Sequence, residues 1–160
     1  MKNKVQLITY ADRLGDGTLS SMTDILRKAG LRPSPQRAAI AGYIGASRSH
    51  PSAEEIYRDL VPDYPTLSLT TVYNTLYALE RAGLAKMLDI ESKNVRFDTA
   101  ATPNHGHILC RKCGRIFDMP LPENIEKYMP AGFSIDSVNL YFKGLCPECN
   151  SEAPKNDKQH

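Results

Sequence analysis

No long hydrophobic run occurs in this sequence. The longest nearly apolar stretch, Ala38 to Ala46, is nine residues, against the roughly 18–20 a bilayer span needs. Met1-Lys2-Asn3-Lys4 is followed by only a few apolar residues before Asp12. No secretory h-region fits there, so a cytoplasmic location and no membrane partner are expected. Internal repeats and low-complexity stretches are also missing. Neither sign of charge dominates: 20 Lys+Arg against 18 Asp+Glu is a net +2. Composition therefore gives no basic footprint, and nucleic-acid binding must rest on a motif. Gly-rich phosphate loops and Ser/His/Asp arrangements are absent too, which argues against an enzyme. What remains is a globular chain of 160 residues, 41% hydrophobic, enough for one ordinary domain or two small ones.

Cysteine is missing from the first two thirds and concentrated in the last. Cys110-Arg111-Lys112-Cys113-Gly114 and Cys146-Pro147-Glu148-Cys149-Asn150 are two Cys-x-x-Cys pairs. Two thiolates three residues apart chelate one ion when the turn between them is tight, and Gly or Asn after the second Cys permits that turn. Two such pairs complete the tetrahedral four-sulfur set of structural zinc. The alternative is two redox dithiols or disulfides, but no thioredoxin-like βαβ unit accompanies them. The intervening 32 residues must themselves fold into a small domain.

Helix signals fill the first half. Residues 20–28 read as a helix with Met22, Ile25, Leu26 and Ala29 on one face and Gly30 as its stop. Ser34 caps a second helix with Pro35 at its first position and an end near Gly45. Ser52 and Glu55 form a capping box for a third, running to about Leu60. Ser68 caps a fourth that runs to about Ala82, with Val72, Leu76 and Leu79 at i, i+4, i+7 facing the core. Leu84–Ile90 and Val95–Thr99 read as two strands joined by Glu91-Ser92-Lys93-Asn94.

Short helices followed by a two-stranded hairpin form the winged helix-turn-helix pattern, whose last helix enters the DNA major groove. Thr70, Thr71, Tyr73, Asn74 and Tyr77, away from the core face, can then meet phosphates and base edges. Arg32, Arg37 and Arg48 can hold the backbone. The alternative is a plain core helix with a polar outer face.

After Ala100–Asn104, strands are expected near Ile108–Leu109 and Ile116–Met119, a helix near Pro122–Met129 and an extended run over Phe133–Phe142. A unit of about 45 residues needs zinc as part of its folding energy. His105 and His107, two apart in an extended segment, point to one side. With Asp98 and Asp118 they can form a nitrogen/oxygen site suited to Fe(II), Mn(II), Co(II) or Ni(II); the alternative is solvated surface groups.

The ordered motifs Arg32-Pro33-Ser34-Pro35-Gln36-Arg37, His50-Pro51-Ser52-Ala53-Glu54-Glu55-Ile56-Tyr57, Thr71-Val72-Tyr73-Asn74-Thr75-Leu76, Arg96-Phe97-Asp98, His105-Gly106-His107 running into the first cysteine pair, and Cys146-Pro147-Glu148-Cys149 resemble the ferric uptake regulator family of metal-dependent bacterial repressors over about residues 20–150. The resemblance is strongest to its peroxide-responsive branch. It implies an α+β homodimer: an N-terminal winged helix-turn-helix domain followed by a small α/β dimerisation domain with a four-cysteine zinc site. The expected division is an N-terminal extension 1–19, DNA-binding domain 20–99, hinge 100–104, dimerisation and metal-binding domain 105–150, and polar tail 151–160.

The resemblance further implies structural Zn2+ on Cys110, Cys113, Cys146 and Cys149. It implies regulatory Fe2+ or Mn2+ on His50, Asp98, His105, His107 and Asp118, and double-stranded operator DNA with inverted half-sites as partner. Asp118 where iron sensors more often place Glu, and Asn74 where many have Arg, favour the peroxide branch. Asn104, Gly106 and Val138, at the positions aligned with an additional family site, also favour it. In that branch iron-catalysed oxidation of a ligand histidine, here His50 or His105, releases the metal and the DNA. The alternatives are an iron-level or other metal-responsive repressor, a zinc-stabilised adaptor, or a metallohydrolase.

Overall fold

The structure, a computed structural model, describes residues 22–90, 95–134 and 138–151. The expected extension 1–19, the start of the expected first helix at 20–21, the hairpin turn Glu91-Ser92-Lys93-Asn94, residues 135–137 of the expected extended run and the tail after Ser151 lie outside the described residues. The chain divides into two compact units between Thr102 and Pro103.

Unit one contains α1 (Met22–Lys28), α2 (Pro35–Ala46), α3 (Ala53–Leu60), α4 (Leu69–Arg81) and the hairpin β1 (Ala85–Leu88) and β2 (Arg96–Thr99). Local chemistry sets the starts of α2, α3 and α4. Ser34 Oγ accepts from Arg37 N at 3.2 Å, and Ser68 Oγ accepts from Thr71 N at 3.1 Å. At α3 the capping box is reciprocal: Ser52 N donates to Glu55 Oε2 at 2.8 Å and Glu55 N to Ser52 Oγ at 3.3 Å. Each cap satisfies an amide that the helix itself leaves unpaired, worth about 1 kcal/mol. At the end of α1, Gly30 sits at φ +74°.

Apolar spacing does the packing. Leu26, Ile40, Ile44, Ile56, Val72, Leu76, Leu79 and Phe97 form one buried cluster, each contributing roughly 1.5–3 kcal/mol of burial. The strands are shorter than expected, because pairing runs only from Ala85↔Thr99 to Leu88↔Arg96. On the other side of β2, Ser52 bridges Arg96 and Phe97 N donates to Pro51 O at 3.0 Å. The segment before α3 thus lies along β2.

Unit two is a three-stranded sheet in the order β4-β3-β5, made of β3 (Gly106–Cys110), β4 (Ile116–Met119) and β5 (Tyr141–Gly144), with the short helix α5 (Pro147–Ser151) after it. β3 runs antiparallel to β4 and parallel to β5. Two expectations are corrected here. In place of a helix over Pro122–Met129 there is only a 3-10 turn, Ile125–Tyr128. Asn124 stands at φ +58°, a left-handed conformation that cannot continue a right-handed helix, and Tyr128 is 78% exposed, so no apolar stripe holds one down. The extended run over Phe133–Phe142 becomes a strand, among the described residues, only from Tyr141 to Gly144, where β3 offers a partner. Among the described residues no helix is long and apolar enough to cross a membrane.

Candidate metal centres and nucleic-acid interface

The first cysteine pair sits on the turn joining β3 to β4. Cys110 ends β3, Gly114 at φ +70° reverses the chain, and Gly114 N donates to Cys110 O at 2.8 Å. The second pair is built differently from the turn expected. Cys149 lies inside α5, so Asn150 is helical and its N donates to Cys146 O at 2.8 Å.

The four Sγ atoms lie within 4.8 Å of one another, and all four cysteines are unbridged. Cys113 Sγ and Cys146 Sγ are 3.9 Å apart. Two sulfurs of a tetrahedral zinc site with Zn–S near 2.3 Å are separated by about 3.8 Å, whereas a disulfide needs about 2.05 Å. The donor set fits zinc. Without an ion the thiols respond unequally. Cys110 is drawn down to about 6, chiefly by backbone hydrogen bonds from Cys113 and Cys146. Burial pushes Cys149 up to about 12. Zinc-bound cysteine must be thiolate, so the site's protons leave as metal enters.

The histidine and aspartate set is divided between the units. In unit one, His50 and Asp98 are buried, with His50 Nε2 3.9 Å from Asp98 Oδ1. His50 adopts φ +50°, a left-handed conformation costing about 1 kcal/mol for a non-glycine residue. Sequence reasoning gave no sign of it. It is held by the Pro51 contact to β2 and by Arg96 Nη1, which donates to Glu55 Oε2 at 2.6 Å. In unit two, strand register decides the site. His107 stands directly opposite Asp118 on β4 and opposite Tyr141 on β5. Asp118 Oδ1 lies 3.4 Å from His105 Nε2 and 3.9 Å from His107 Nε2.

His105 Nδ1 is 2.8 Å from the Pro103 carbonyl. A carbonyl only accepts, so Nδ1 carries the proton and Nε2 is the basic nitrogen, turned toward Asp118. Within unit two, the two imidazoles and the Asp118 carboxylate are donors of the kind that suits a borderline divalent ion. Tyr141, its ring 5.9 Å from that of His107, was not foreseen; only the parallel pairing with β5 brings it there.

The expected DNA-contacting residues divide into two groups. Thr70 and Asn74 on α4, and Arg32 before α2, are exposed, and Tyr77 is 39% exposed. The others are engaged at home. Arg37 Nη1 donates to Arg32 O at 2.6 Å. The Thr71 hydroxyl lies 2.8 Å from Ser68 Oγ at the cap. Tyr73 donates its hydroxyl to Glu54 Oε1 at 2.7 Å and stacks on Tyr77 with centroids 6.2 Å apart.

A winged helix-turn-helix unit, followed by a unit carrying a four-cysteine centre beside clustered histidine and aspartate side chains, defines a metal-linked DNA-binding regulator. The chain belongs to the ferric uptake regulator family, which it matches over residues 28–143. It is a metal-responsive transcriptional repressor of that family, not an enzyme, and members of the family bind operator DNA as dimers.

Over 141 residues it is 40% identical to the peroxide-responsive repressor PerR of Staphylococcus epidermidis, covering 86% of this chain and 93% of that protein. Its fold is similar to the Helicobacter pylori ferric uptake regulator, described as having three functional metal binding sites, at 27% identity and a TM-score of 0.67 over 94% of this chain and 97% of that one. The Pseudomonas aeruginosa ferric uptake regulator with manganese is similar at 28% identity and a TM-score of 0.66, over 80% of this chain and 99% of that one.

Proposed function

We propose that this chain is a cytoplasmic, peroxide-sensing, metal-dependent repressor that binds an inverted-repeat operator as a homodimer and releases it when a ligand histidine is oxidised. The observation that carries this reading is Asp118, whose Oδ1 lies 3.4 and 3.9 Å from two imidazoles, in a chain 40% identical to a peroxide-responsive repressor.

Residues 20–99 form the DNA-binding domain behind a hinge at 100–104, and 105–150 form the dimerisation and metal-binding domain. Cys110, Cys113, Cys146 and Cys149 hold structural zinc. His50, Asp98, His105, His107 and Asp118 hold regulatory Fe(II) or Mn(II). Fe(II), when bound, supplies the one-electron reduction of peroxide that Mn(II) resists.

The protein supplies everything else. His50 and Asp98 come from unit one and the other three ligands from unit two, so ligation by all five restrains the hinge and sets the spacing of the two α4 helices in the dimer. A bias of a few kcal/mol in that equilibrium changes DNA affinity by orders of magnitude. An imidazole of His50 or His105 that gains an oxygen loses basicity and ceases to be a ligand, and the restraint ends. Thr70, Asn74 and Tyr77 face the bases, with Thr71 and Tyr73 beside them, while Arg32 and Arg37 meet the phosphates.

The test is peptide mass spectrometry of Fe(II)-loaded protein after brief peroxide exposure, with an Mn(II)-loaded control. Trypsin isolates His50 in Ser49–Arg58 and His105 in Phe97–Arg111. One added oxygen on His50 or His105, with iron only, is the expected result. Unmodified histidines in protein shown to hold Fe(II) would overturn peroxide sensing and leave an iron-level sensor.

A further inference from the structure

Three of the four zinc-site cysteines are buried; Cys113 is the exposed one. A zinc ion with four thiolates carries a net charge of −2, and its sulfurs stay nucleophilic unless hydrogen bonds or cations draw charge from them. Cys110 Sγ receives such a bond from the backbone, Cys146 N donating at 3.3 Å, and it is fully shielded from solvent.

For Cys113 the donor is a side chain. Arg115 Nε donates to Cys113 Sγ at 3.4 Å, and its Nη2 donates to Cys146 Sγ at 3.6 Å. Nη2 also donates to Glu148 Oε2, within the second cysteine pair. The guanidinium carbon lies 5.5 Å from the Phe117 ring centroid. One cation thus spans a sulfur from each pair, held in place by a carboxylate and an aromatic face.

A guanidinium suits this position. Its planar fork addresses two acceptors at fixed spacing and keeps its charge at any physiological pH. Lysine would supply the charge but not the fork. Nothing else about Arg115 calls for burial or core packing: its side chain is 48% exposed.

We infer that Arg115 is a positioning residue of the zinc centre that screens the exposed Cys113 thiolate from electrophiles and so keeps the site closed. This rests on the zinc reading of the four-cysteine site, and zinc content measured before reaction separates the two.

The test uses the full-length zinc-loaded protein and iodoacetamide. Sγ displaces iodide from the reagent's carbon: a C–S bond forms as the C–I bond breaks, and iodide leaves with the electron pair. A chromogenic chelator follows zinc release, and peptide mass spectrometry identifies the cysteine alkylated first. Wild-type protein with one zinc per chain, reacting slowly, is the reference; wild-type protein without zinc would refute the zinc reading instead.

Arg115→Met at full zinc content is expected to react about five- to tenfold faster, with Cys113 modified first, and Arg115→Lys to fall between it and wild type. Should Arg115→Met fail to retain zinc, Arg115→Gln, which keeps a polar surface side chain, carries the same expectation. A neutral variant within twofold of the wild-type rate, or one whose buried Cys110 or Cys149 reacts as early as Cys113, would overturn the proposal.

Discussion

Tyr73 on α4 donates its hydroxyl to Glu54 on α3 at 2.7 Å, joining the two helices of the helix-turn-helix at their outer surface. The same bond holds the Glu54 carboxyl below its ordinary range and raises the Tyr73 phenol to about 12. A depressed carboxyl contributes stability that is present above its unfolded-state pKa and lost as pH falls through the folded-state value. Glu54 is exposed, so solvent screening limits the contribution to about 0.5–1 kcal/mol. Tyr73→Phe is therefore expected to lower stability by about that amount at neutral pH, with the deficit shrinking on acidification and vanishing in a Glu54→Ala background, which removes the acceptor. Denaturant titrations of the four proteins at two pH values check it.

Cys110→Ser removes a fully buried thiol from the proposed zinc centre. Zinc binding in small modules is worth on the order of 10 kcal/mol of folding energy, more than a sheet of three short strands supplies. Loss of zinc and of unit-two structure is expected, together with loss of the dimer. Zinc content, melting and sedimentation check it; a zinc-free dimer with unchanged melting would contradict the structural role.

Asp118→Ala deletes the carboxylate facing His105 and His107 while leaving the cysteines untouched. Zinc content and dimerisation are expected to stay at wild-type levels. If Asp118 is a ligand as proposed, Mn(II)-activated operator binding is expected to need at least tenfold more metal, since removing even a group that only orients a ligand typically costs about 10- to 100-fold in metal affinity. Fluorescence anisotropy across a metal titration measures this.

Gly106 lies between the two histidines with no room for a side chain. A Cβ there would meet Met119 Cγ at 3.0 Å and the Leu140 carbonyl at 3.2 Å, and that carbonyl already accepts from His107 N at 2.9 Å. The backbone contact cannot move without opening the β3/β5 pairing. Gly106→Ala is expected to cost about 1–3 kcal/mol and to weaken regulatory metal binding while zinc is retained, as calorimetry with Mn(II) would register.

Much of the molecule was legible because the signals are local. A cap involves residues three apart, as in Ser34, Ser52 and Ser68, and a helix face repeats at three and four, as in Val72, Leu76 and Leu79. Two Cys-x-x-Cys pairs stand out by spacing alone, and their four sulfurs lie together. The Pro122–Met129 helix failed for the complementary reason: its residues tolerate a helix, but Asn124 turns the backbone left-handed and no core face recruits the segment.

The sequence by itself determined the starts of α2, α3 and α4, the aliphatic core positions of unit one and the two cysteine pairs, since each depends on spacing along the chain. Tertiary structure alone decided which groups meet across it. Register between separate strands puts Asp118 and Tyr141 on either side of His107, because only hydrogen-bonded pairing selects one alignment among several equally spaced ones. Closure of β5 and α5 onto β3 brings Glu148 and Cys146 to Arg115, residues more than thirty positions apart whose meeting no local pattern encodes. The left-handed backbone at His50 likewise exists because β2 holds its neighbour.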